Sequence, residues 1–344
     1  MKINTLKNYL NKFNQFVKRC FGEDASIFVY LSNAFKFIYC YLKYGTSISD
    51  YFELGYYKEN KNKSEYATLR INSAMVNAVD DNSVMRKYCD KYNMYSGIKP
   101  FLGRKILFTK DAEYHDFLNF VGEQHSILYK PNFESCGHGI EKIDLEGKDL
   151  KETWHNIKHC PEGILDTLIV QHQELTKLCS ASVNTVRIFT AKVNNKIYYL
   201  GACLRIGGGK TFIDNYSSGG LVVSLDLKSG KSVEVAEDMY RKRYSEHPIT
   251  GVSLKGFQVP HWDKVIALVK DAAIHYKLNY VAWDIAVREN DCVLVESNAY
   301  GQIAVIQIAG GSPKRKLCEQ IISEAANINN KYKNFNEYEI ILCE

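Results

Sequence analysis

The chain has 344 residues, of which 46% are hydrophobic and 24% are charged, so it can bury a substantial core and is neither disordered nor fibrous. Its ten cysteines are scattered without a C-x-x-C pair, which predicts reduced thiols in a cytoplasmic protein and excludes a disulfide framework. Residues 1–110 contain 18 basic and 9 acidic residues and carry a net charge of +9, whereas the whole chain carries +5, so the remainder carries −4. This basic third favours an anionic partner such as a membrane surface, a nucleotide or an acidic glycan, and a merely solvated basic surface is the alternative.

Residues 1–100 predict a helical N-terminal region that is rich in aromatic residues and is interrupted by the polar stretch 58–65. Its most apolar part, IFVYLSNAFKFIYCYL (27–42), falls short of the ~20 residues needed to span a bilayer. We therefore expect a helix that packs in the core or lies on a membrane surface. No small-residue cleavage site follows an apolar core, so we expect no signal peptide.

From about residue 101, strand and helix patterns mix without regular β-α-β alternation. The predicted strands are 105–109, 126–131 and 167–174, and the predicted helices are 111–124, 261–277 and 313–328. Residues 184–209 predict a hairpin that turns at Asn194 and Asn195. The mixture predicts the α+β class.

The stretch VAWDIAVRENDCVLVESN (281–298) places two carboxylates in a pair of otherwise apolar strands. If the connecting loop is 289–291, Asp284 lies opposite Glu296 at roughly 5 Å, with Leu294 and Asn298 on the Glu296 face. Two like charges at that distance repel unless a cation lies between them. Two carboxylates and the Asn298 amide suit Mg²⁺ shared with substrate phosphates, and an edge hairpin with its acids in water is the alternative.

Two glycine-rich stretches compete as phosphate-binding loops. LRIGGGKT (204–211) lacks the first glycine of a P-loop, because position 204 is Leu204, and it follows a strand and does not open a helix. In ILYKPNFESCGHGI (127–140), by contrast, Lys130 ends a strand, and Gly137 and Gly139 allow backbone N–H groups to fold over phosphates. This second stretch is the better candidate.

Arg187 and Arg205 lie inside predicted strands, where an unpaired charge is costly. One interpretation is a salt bridge within the fold. The other is binding of the γ-phosphate and an acyl-phosphate intermediate, because a guanidinium group makes bidentate contacts with oxyanions.

Taken together, these features resemble the ATP-grasp superfamily: a lysine strand with a glycine-rich flap, arginines on a hairpin, then D-x₁₁-E-x-N. SVNTVRIFT (182–190), LRIGGGKTFIDNYSSGG (204–220), HPITGVSLKGFQVPHW (247–262) and the hairpin at 281–298 resemble, more narrowly, the sugar-transfer-associated ATP-grasp family. The resemblance covers about residues 85–310 and implies two α+β subdomains that grip ATP, preceded by the helical region.

The resemblance also implies roles for individual residues. Asp284, Glu296 and Asn298 would hold Mg²⁺, and Arg187, Arg205 and Asn215 would be catalytic. Lys105, Lys130 and the flap residues Ser135, Gly137, His138 and Gly139 would contact ATP phosphates. The backbone of 169–172, including Gln171 and His172, would meet adenine, with Glu174 binding ribose and Gln171 competing for that role.

The implied subdomains are 101–170 with the flap and 171–330 with the metal site, followed by a tail at 331–344. The implied activity is an ADP-releasing carboxylate–amine ligase that uses ATP and Mg²⁺ and acts on a sugar carboxylate in capsule or O-antigen biosynthesis. Its partners would be a uronic acid or its sugar nucleotide and a small amine, an amino acid or amino alcohol, with no nucleic acid. We expect a cytoplasmic protein that contacts the inner membrane face or a glycosyltransferase. A phosphotransferase and a non-catalytic, nucleotide-gated partner of a glycosyltransferase are the alternatives.

Overall fold

The computed structural model describes residues 2–58, 62–134, 138–209, 216, 219–328 and 331–343. Its N-terminal third is helical, as predicted. The helices are α1 (Lys2–Phe21), α2 (Ile27–Tyr44), α3 (Ile48–Glu53), α4 (Leu69–Val79), α5 (Asn82–Lys87) and α6 (Lys91–Ile98).

Local sequence signals set the ends of these helices. Ser47 and Asp50 form a reciprocal capping box at the start of α3, with each side chain accepting from the other's backbone N–H. Gly45 ends α2 in the left-handed region, at φ 69°, and donates its N–H to the Tyr41 carbonyl. The rings of Phe16 and Phe52 stack at 5.2 Å between centroids, which fixes α1 against α3.

A four-stranded antiparallel sheet follows, in the order β1-β4-β2-β3. Its elements are β1 (Ile106–Phe108), α7 (Tyr114–Val121), β2 (Ser126–Pro131), β3 (Glu141–Asp144), α8 (Leu150–His159) and β4 (Gly163–Thr167). One face of this small sheet packs on α7 and α8, where the rings of Phe117 and Trp154 stack at 5.1 Å. The other face carries Lys130 and Asp166 and meets α6.

The strand predicted at 167–174 is wrong in position. β4 ends at Thr167, residues 168–172 are irregular, and α9 (Gln173–Leu178) begins where the strand was expected to continue. The buried strand is formed by the residues just before the predicted one, Gly163–Thr167, and Val170 is 81% exposed. This segment connects the two sheets.

The second sheet has eight strands, in the order β11-β10-β5-β6-β7-β8-β9, with β12 added in parallel to β6. Its elements are β5 (Val186–Val193), β6 (Lys196–Ile206), β7 (Leu221–Leu225), β8 (Ala236–Glu237), β9 (Arg243–Tyr244), α10 (Trp262–His275), β10 (Tyr280–Val287), β11 (Cys292–Asn298), α11 (Arg315–Ala325) and β12 (Glu339–Leu342). The hairpin at 184–209 and the helices predicted near 261–277 and 313–328 are therefore confirmed. The expected tail is not separate, because β12 lies within it.

The β10–β11 hairpin confirms one prediction and corrects another. Asp284 pairs with Glu296 as predicted, but Val287 pairs with Cys292, so the loop is longer than 289–291. A bulge skips Val295 and restores the predicted register at Asp284. Leu294 consequently pairs with Ile285 and lies on the face opposite Glu296, which corrects the expectation that they share a face.

The mixed architecture confirms the α+β prediction. No helix in the described ranges is both long and apolar enough to cross a bilayer.

Candidate functional site

The Asp284 carboxylate is 2% exposed and is held by two arginines. Arg187 donates to it from Nε at 2.6 Å and from Nη2 at 2.5 Å, and Arg205 donates from Nη1 at 3.0 Å. Burial opposes ionisation of Asp284, but the two guanidinium charges outweigh it and hold the pKa of the carboxyl below its usual range. The cation opposite Asp284 in this structure is therefore an arginine.

Strand pairing brings these charges together. Arg187 lies directly opposite Asp284 on β5, and Cys203 of β6 lies opposite Arg187, so all three share one face of the large sheet. Arg205 is two residues beyond Cys203 and is therefore on the same face. The salt-bridge interpretation of the two arginines is thus present in the structure, and their predicted phosphate role remains a prediction.

Glu296 and Asn298 complete this group, which we call the Asp284 cluster (Arg187, Arg205, Asp284, Glu296 and Asn298). The Glu296 side chain is 36% exposed, and its Oε1 lies 3.9 Å from Nη2 of Arg187. Burial and the neighbouring Asp284 charge raise the pKa of Glu296. Asn298 donates Nδ2 at 3.3 Å to both carboxylates, and its side-chain carbonyl oxygen is an additional acceptor atom.

A second group, the Asp166 cluster (Tyr95, Arg104, Lys130 and Asp166), lies on the small sheet. Lys130 donates to Asp166 at 2.7 Å and to the Tyr95 hydroxyl at 2.8 Å. Arg104 donates to both Asp166 oxygens, at 2.7 and 2.9 Å. Burial opposes ionisation of Asp166 as well, but Lys130 and Arg104 hold the pKa of its carboxyl low.

Only Lys130 of this second cluster was predicted. Asp166 carries the same signal that exposed Asp284, a single carboxylate in the apolar run GILDT, but the misplaced strand at 167–174 concealed it. Arg104 and Tyr95 come from outside the strands and carry no local signal of their own.

Arg104 links the small sheet to β11, and Lys91 contacts the end of β2. Arg104 also donates to the backbone carbonyls of Leu294 at 2.6 Å and Val295 at 3.3 Å, so it holds the β11 bulge. Lys91 donates to the Pro131 carbonyl at 2.8 Å at the end of β2. Burial lowers the pKa of Lys91, and the charge of Glu296 acts against that shift.

The predicted nucleotide contacts are spread over the small sheet and the connecting segment. Lys105 is exposed and its carbonyl accepts from the Thr167 N–H at 3.3 Å, so it lies beside the start of that segment. His138 and Gly139 are exposed, and Gly139 has φ +68° with Pro131 only 2.8 Å from where a Cβ would lie. Ser135, Gly137 and Asn215 lie outside the described residues.

Gln171, His172 and Glu174, predicted near adenine and ribose, differ in how far their side chains are already hydrogen-bonded within the protein. The Gln171 amide is committed within the protein: it donates to the Cys179 and Ser182 carbonyls and accepts from the Asn184 N–H. His172 caps α9, accepting from the Glu174 N–H at 3.1 Å. The side chain of Glu174 is 44% exposed and pairs with Lys177. The Glu174 carboxylate is thus the more accessible of the two side chains, and the ribose role of either residue remains a prediction.

His247 is buried, and its Nε2 lies 2.9 Å from the Gly207 carbonyl, so it has a structural role. His261 is the N-cap residue of α10. Across the described residues, no three His, Cys, Asp or Glu side chains are grouped as metal ligands. The candidate magnesium site accordingly consists of two carboxylates and one amide.

The charges of the two clusters favour an anionic ligand. The two clusters contain three carboxylates, those of Asp166, Asp284 and Glu296. Five cationic side chains lie in or beside them: Lys91, Arg104, Lys130, Arg187 and Arg205. Positive charge is therefore in excess among these largely buried groups, where low dielectric strengthens its attraction for an anion.

Comparison with solved structures finds ATP-grasp ligases. The ATP-grasp ligase PsnB with minimal precursor, Mg and ADP is 14% identical, with 71% of this chain and 61% of that chain covered and a TM-score of 0.40. N5-carboxyaminoimidazole synthetase from Staphylococcus aureus with ADP is 10% identical, with coverage of 64% and 46% and a TM-score of 0.40. A Chryseobacterium gregarium RiPP-associated ATP-grasp ligase with ADP and a leader and core peptide is 11% identical, with coverage of 75% and 65% and a TM-score of 0.40. The chain thus spans about three fifths of the length of PsnB.

No curated protein matches the sequence. The profile of the sugar-transfer associated ATP-grasp family matches residues 150–322, a span that includes the whole Asp284 cluster. The matched span is half of the chain, and the chain belongs to the sugar-transfer associated ATP-grasp family.

Proposed function

We propose that the protein is an ATP-dependent carboxylate–amine ligase that forms an amide through an acyl phosphate. The observation that carries this proposal is the Asp284 cluster, in which two arginines and a carboxylate–amide group meet on one sheet face. The Asp166 cluster holds Lys130 on the neighbouring sheet. Family membership and the excess of cationic side chains in the two clusters support ATP as the phosphate donor.

The donor set of the Asp284 cluster fits Mg²⁺. Glu296 is the more open carboxylate, and Asn298 offers a carbonyl oxygen besides the amide nitrogen that donates to three acceptors. Hard oxygen ligands in small number suit a cation that shares its coordination with phosphates. Asp284, Glu296 and Asn298 would hold the metal, which when bound draws charge from the β- and γ-phosphates.

The cationic side chains have separate tasks in this proposal. Lys130 is oriented by Asp166 and Tyr95 and would neutralise the α/β-phosphates. Arg187 and Arg205, held side by side through Asp284, would bind the γ-phosphate and then the acyl phosphate.

The reaction needs no protein nucleophile. A carboxylate oxygen of the acceptor forms a bond to the γ-phosphorus while the bond to the ADP oxygen breaks. The amine nitrogen then attacks the acyl carbon, and inorganic phosphate leaves. The protein's contribution is to align these groups and to stabilise the negative charge that the phosphoryl oxygens carry in both steps.

We propose a sugar carboxylate, such as a uronic acid in capsule or O-antigen biosynthesis, as the acceptor. The support is the family's association with sugar transfer. The amine would be an amino acid or amino alcohol.

We also propose that α2 rests on an anionic membrane surface, which would place the enzyme in the cytoplasm at the inner membrane face. Large apolar side chains are exposed along its length: Ile27, Phe28, Leu31, Phe35, Ile38, Tyr39, Tyr41 and Leu42. Lys36 and Lys43 are exposed on the same helix. An apolar face with lysines beside it suits the boundary between lipid headgroups and acyl chains.

The test of the ligase proposal is an ADP-release screen that crosses nucleotide-linked uronic acids with amino acids and amino alcohols. We expect release only when a carboxylate and an amine are both present. Arg205→Lys should lower the rate by about a hundredfold, because a lysine cannot make the bidentate contact. Arg315→Lys, on α11 and paired with Glu319, is the matched control and should retain the rate.

A phosphotransferase would release ADP with the sugar alone and would not require the amine. A protein that binds ATP but releases no ADP with any pair would contradict the ligase proposal and favour a nucleotide-gated partner.

A further inference from the structure

A cavity of about 540 Å³ lies between α1 and the turn at 238–242. Its volume is in the range of small-molecule sites, which is about 300–1,000 Å³. The residues that line it are Asn8, Asn11, Lys12, Gln15, Phe16, Arg19, Glu53, Tyr216 and Met239. None of them belongs to the two clusters described above.

Strand register places Glu237, a neighbour of the cavity wall, on the sheet face that carries the Asp284 cluster. Arg205 pairs with Val222 of β7, and Val222 pairs with Glu237 of β8, so Glu237 lies on the face that carries Arg205. Two strand spacings separate them, which is roughly 10 Å. Tyr216 of the cavity wall donates its hydroxyl to the Asp238 carbonyl, the next residue after Glu237.

The lining has the chemistry of a polar, negatively charged ligand site. Three amide side chains from α1 offer donors and acceptors, as sugar hydroxyl groups require. Lys12 and Arg19 outweigh the single acid, Glu53. Phe16 and Tyr216 supply aromatic surface.

The ion pair between Arg241 and Glu237 lies beside the cavity and retains an unused hydrogen-bond donor. Nη1 of Arg241 lies 2.6 Å from Oε2 of Glu237, and these two atoms satisfy each other, whereas the buried Nε of Arg241 has no hydrogen-bond partner among the described residues. Buried polar atoms are nearly always satisfied, so a ligand or its waters are expected here. Arg241 also has φ 64°, a conformation uncommon for a non-glycine residue and enriched at functional sites.

We propose that this cavity is the acceptor site and that its ligand is a sugar acid, with the hydroxyl-rich part against α1 and the reacting carboxylate extended toward Arg205. The assignment of the ligand as acceptor rests on the proposed ligase function. It gives α1 a role in substrate binding, which the family match at 150–322 does not include.

The test uses two probes, UDP-glucuronate and a glucuronate-containing disaccharide, with ADP and Mg²⁺ saturating so that the nucleotide site is filled. Binding is measured by calorimetry on the full chain. The variant is Asn11→Leu/Lys12→Ala, and the matched control on the same helix is Lys7→Ala/Asn14→Leu, whose positions are exposed outside the cavity lining. All four positions are solvent-exposed, so both variants should fold.

We expect the cavity variant to weaken the affinity for at least one probe by about tenfold or more, the value of one lost charge-assisted hydrogen bond, and the control to bind as the wild type. ADP affinity should be the same in all three proteins. Failure of both probes to bind the wild type at millimolar concentration, or equal weakening in variant and control, would overturn the proposal.

The two proposals can fail separately. Probe binding that depends on Asn11 and Lys12 without ADP release would keep the site and reject the ligase. ADP release from a uronate and an amine with unchanged KM in the cavity variant would keep the ligase and reject the site.

Discussion

Replacing Asp284 with asparagine should destabilise the protein, whereas replacing Glu296 with glutamine should not. The two acids face each other across the β10–β11 hairpin, and sequence alone predicts that neutralising either one relieves repulsion. The structure reverses that expectation for Asp284, because its carboxylate compensates the guanidinium groups of half-buried Arg187 and buried Arg205 at 2.5 to 3.0 Å.

The magnitude follows from what the substitution leaves behind. Asparagine keeps one acceptor oxygen for three donor contacts, so Arg187 and Arg205 lose their shared counter-charge while the side chains on this sheet face stay buried. Breaking a buried ion pair by removing one partner costs about 3–5 kcal/mol of the free energy of unfolding. Glu296 is more than a third exposed and lies 3.9 Å from Arg187, so its neutralisation should change that free energy by less than about 1 kcal/mol.

The assay is urea denaturation of wild type, Asp284→Asn and Glu296→Gln between pH 3 and pH 8, with ADP release measured per folded molecule. Because the pKa of Asp284 is lower in the folded state, its stabilisation is complete above the ordinary carboxyl pKa near 4 and is lost as pH falls toward the folded-state pKa. The difference between wild type and Asp284→Asn should therefore be constant from about pH 5 to pH 8 and shrink below about pH 4.

Both variants should lose turnover, because each removes a proposed metal ligand. An Asp284→Asn protein as stable as the wild type would refute the reasoning about the arginines. A variant that unfolds early yet turns over normally per folded molecule would show that these acids are structural and would refute the metal site.

Three further predictions concern other parts of the chain. Lys130→Ala should weaken ATP affinity about tenfold or more in calorimetry, since a phosphate counter-charge is lost; unchanged affinity would contradict its assignment. Phe35→Ser should reduce co-sedimentation of the protein with anionic liposomes. The control is Phe133→Ser, which replaces a phenylalanine of similar exposure outside α2 and should leave co-sedimentation unchanged. The same liposome-bound fraction for both variants would argue against membrane contact by α2. Burial lowers the pKa of Lys192 to about 8, so between pH 8 and pH 10.5 the unfolded chain binds one more proton than the folded chain, and the free energy of unfolding should rise with pH. In denaturation curves Lys192→Met should lack this rise. The same rise in the variant would contradict the assignment to Lys192.

Local patterns predicted much of the fold. The strand at 126–131, the turn at Asn194 and Asn195 and the opposition of Asp284 and Glu296 all depend on residues close together in sequence, where side-chain alternation and turn chemistry decide the outcome. The predicted pairing of Asp284 with Glu296 is correct only because two errors cancel. The hairpin loop is longer than predicted, and a bulge at Val295 restores the register. Arg104, which holds that bulge, lies 190 residues from Leu294 in the chain.

The sequence by itself determined that a carboxylate pair and an amide meet on one hairpin, and that a lysine ends a strand before a glycine-rich loop. Only the tertiary structure decided what these groups face. The pairing of Asp284 with Arg187 spans 97 residues and depends on the register between β10 and β5, which no local signal encodes. The pairing of Lys130 with Asp166 likewise depends on the register between β2 and β4. A buried charge shows in sequence that a partner is needed, but the choice of partner is made when distant strands come into register and exclude water.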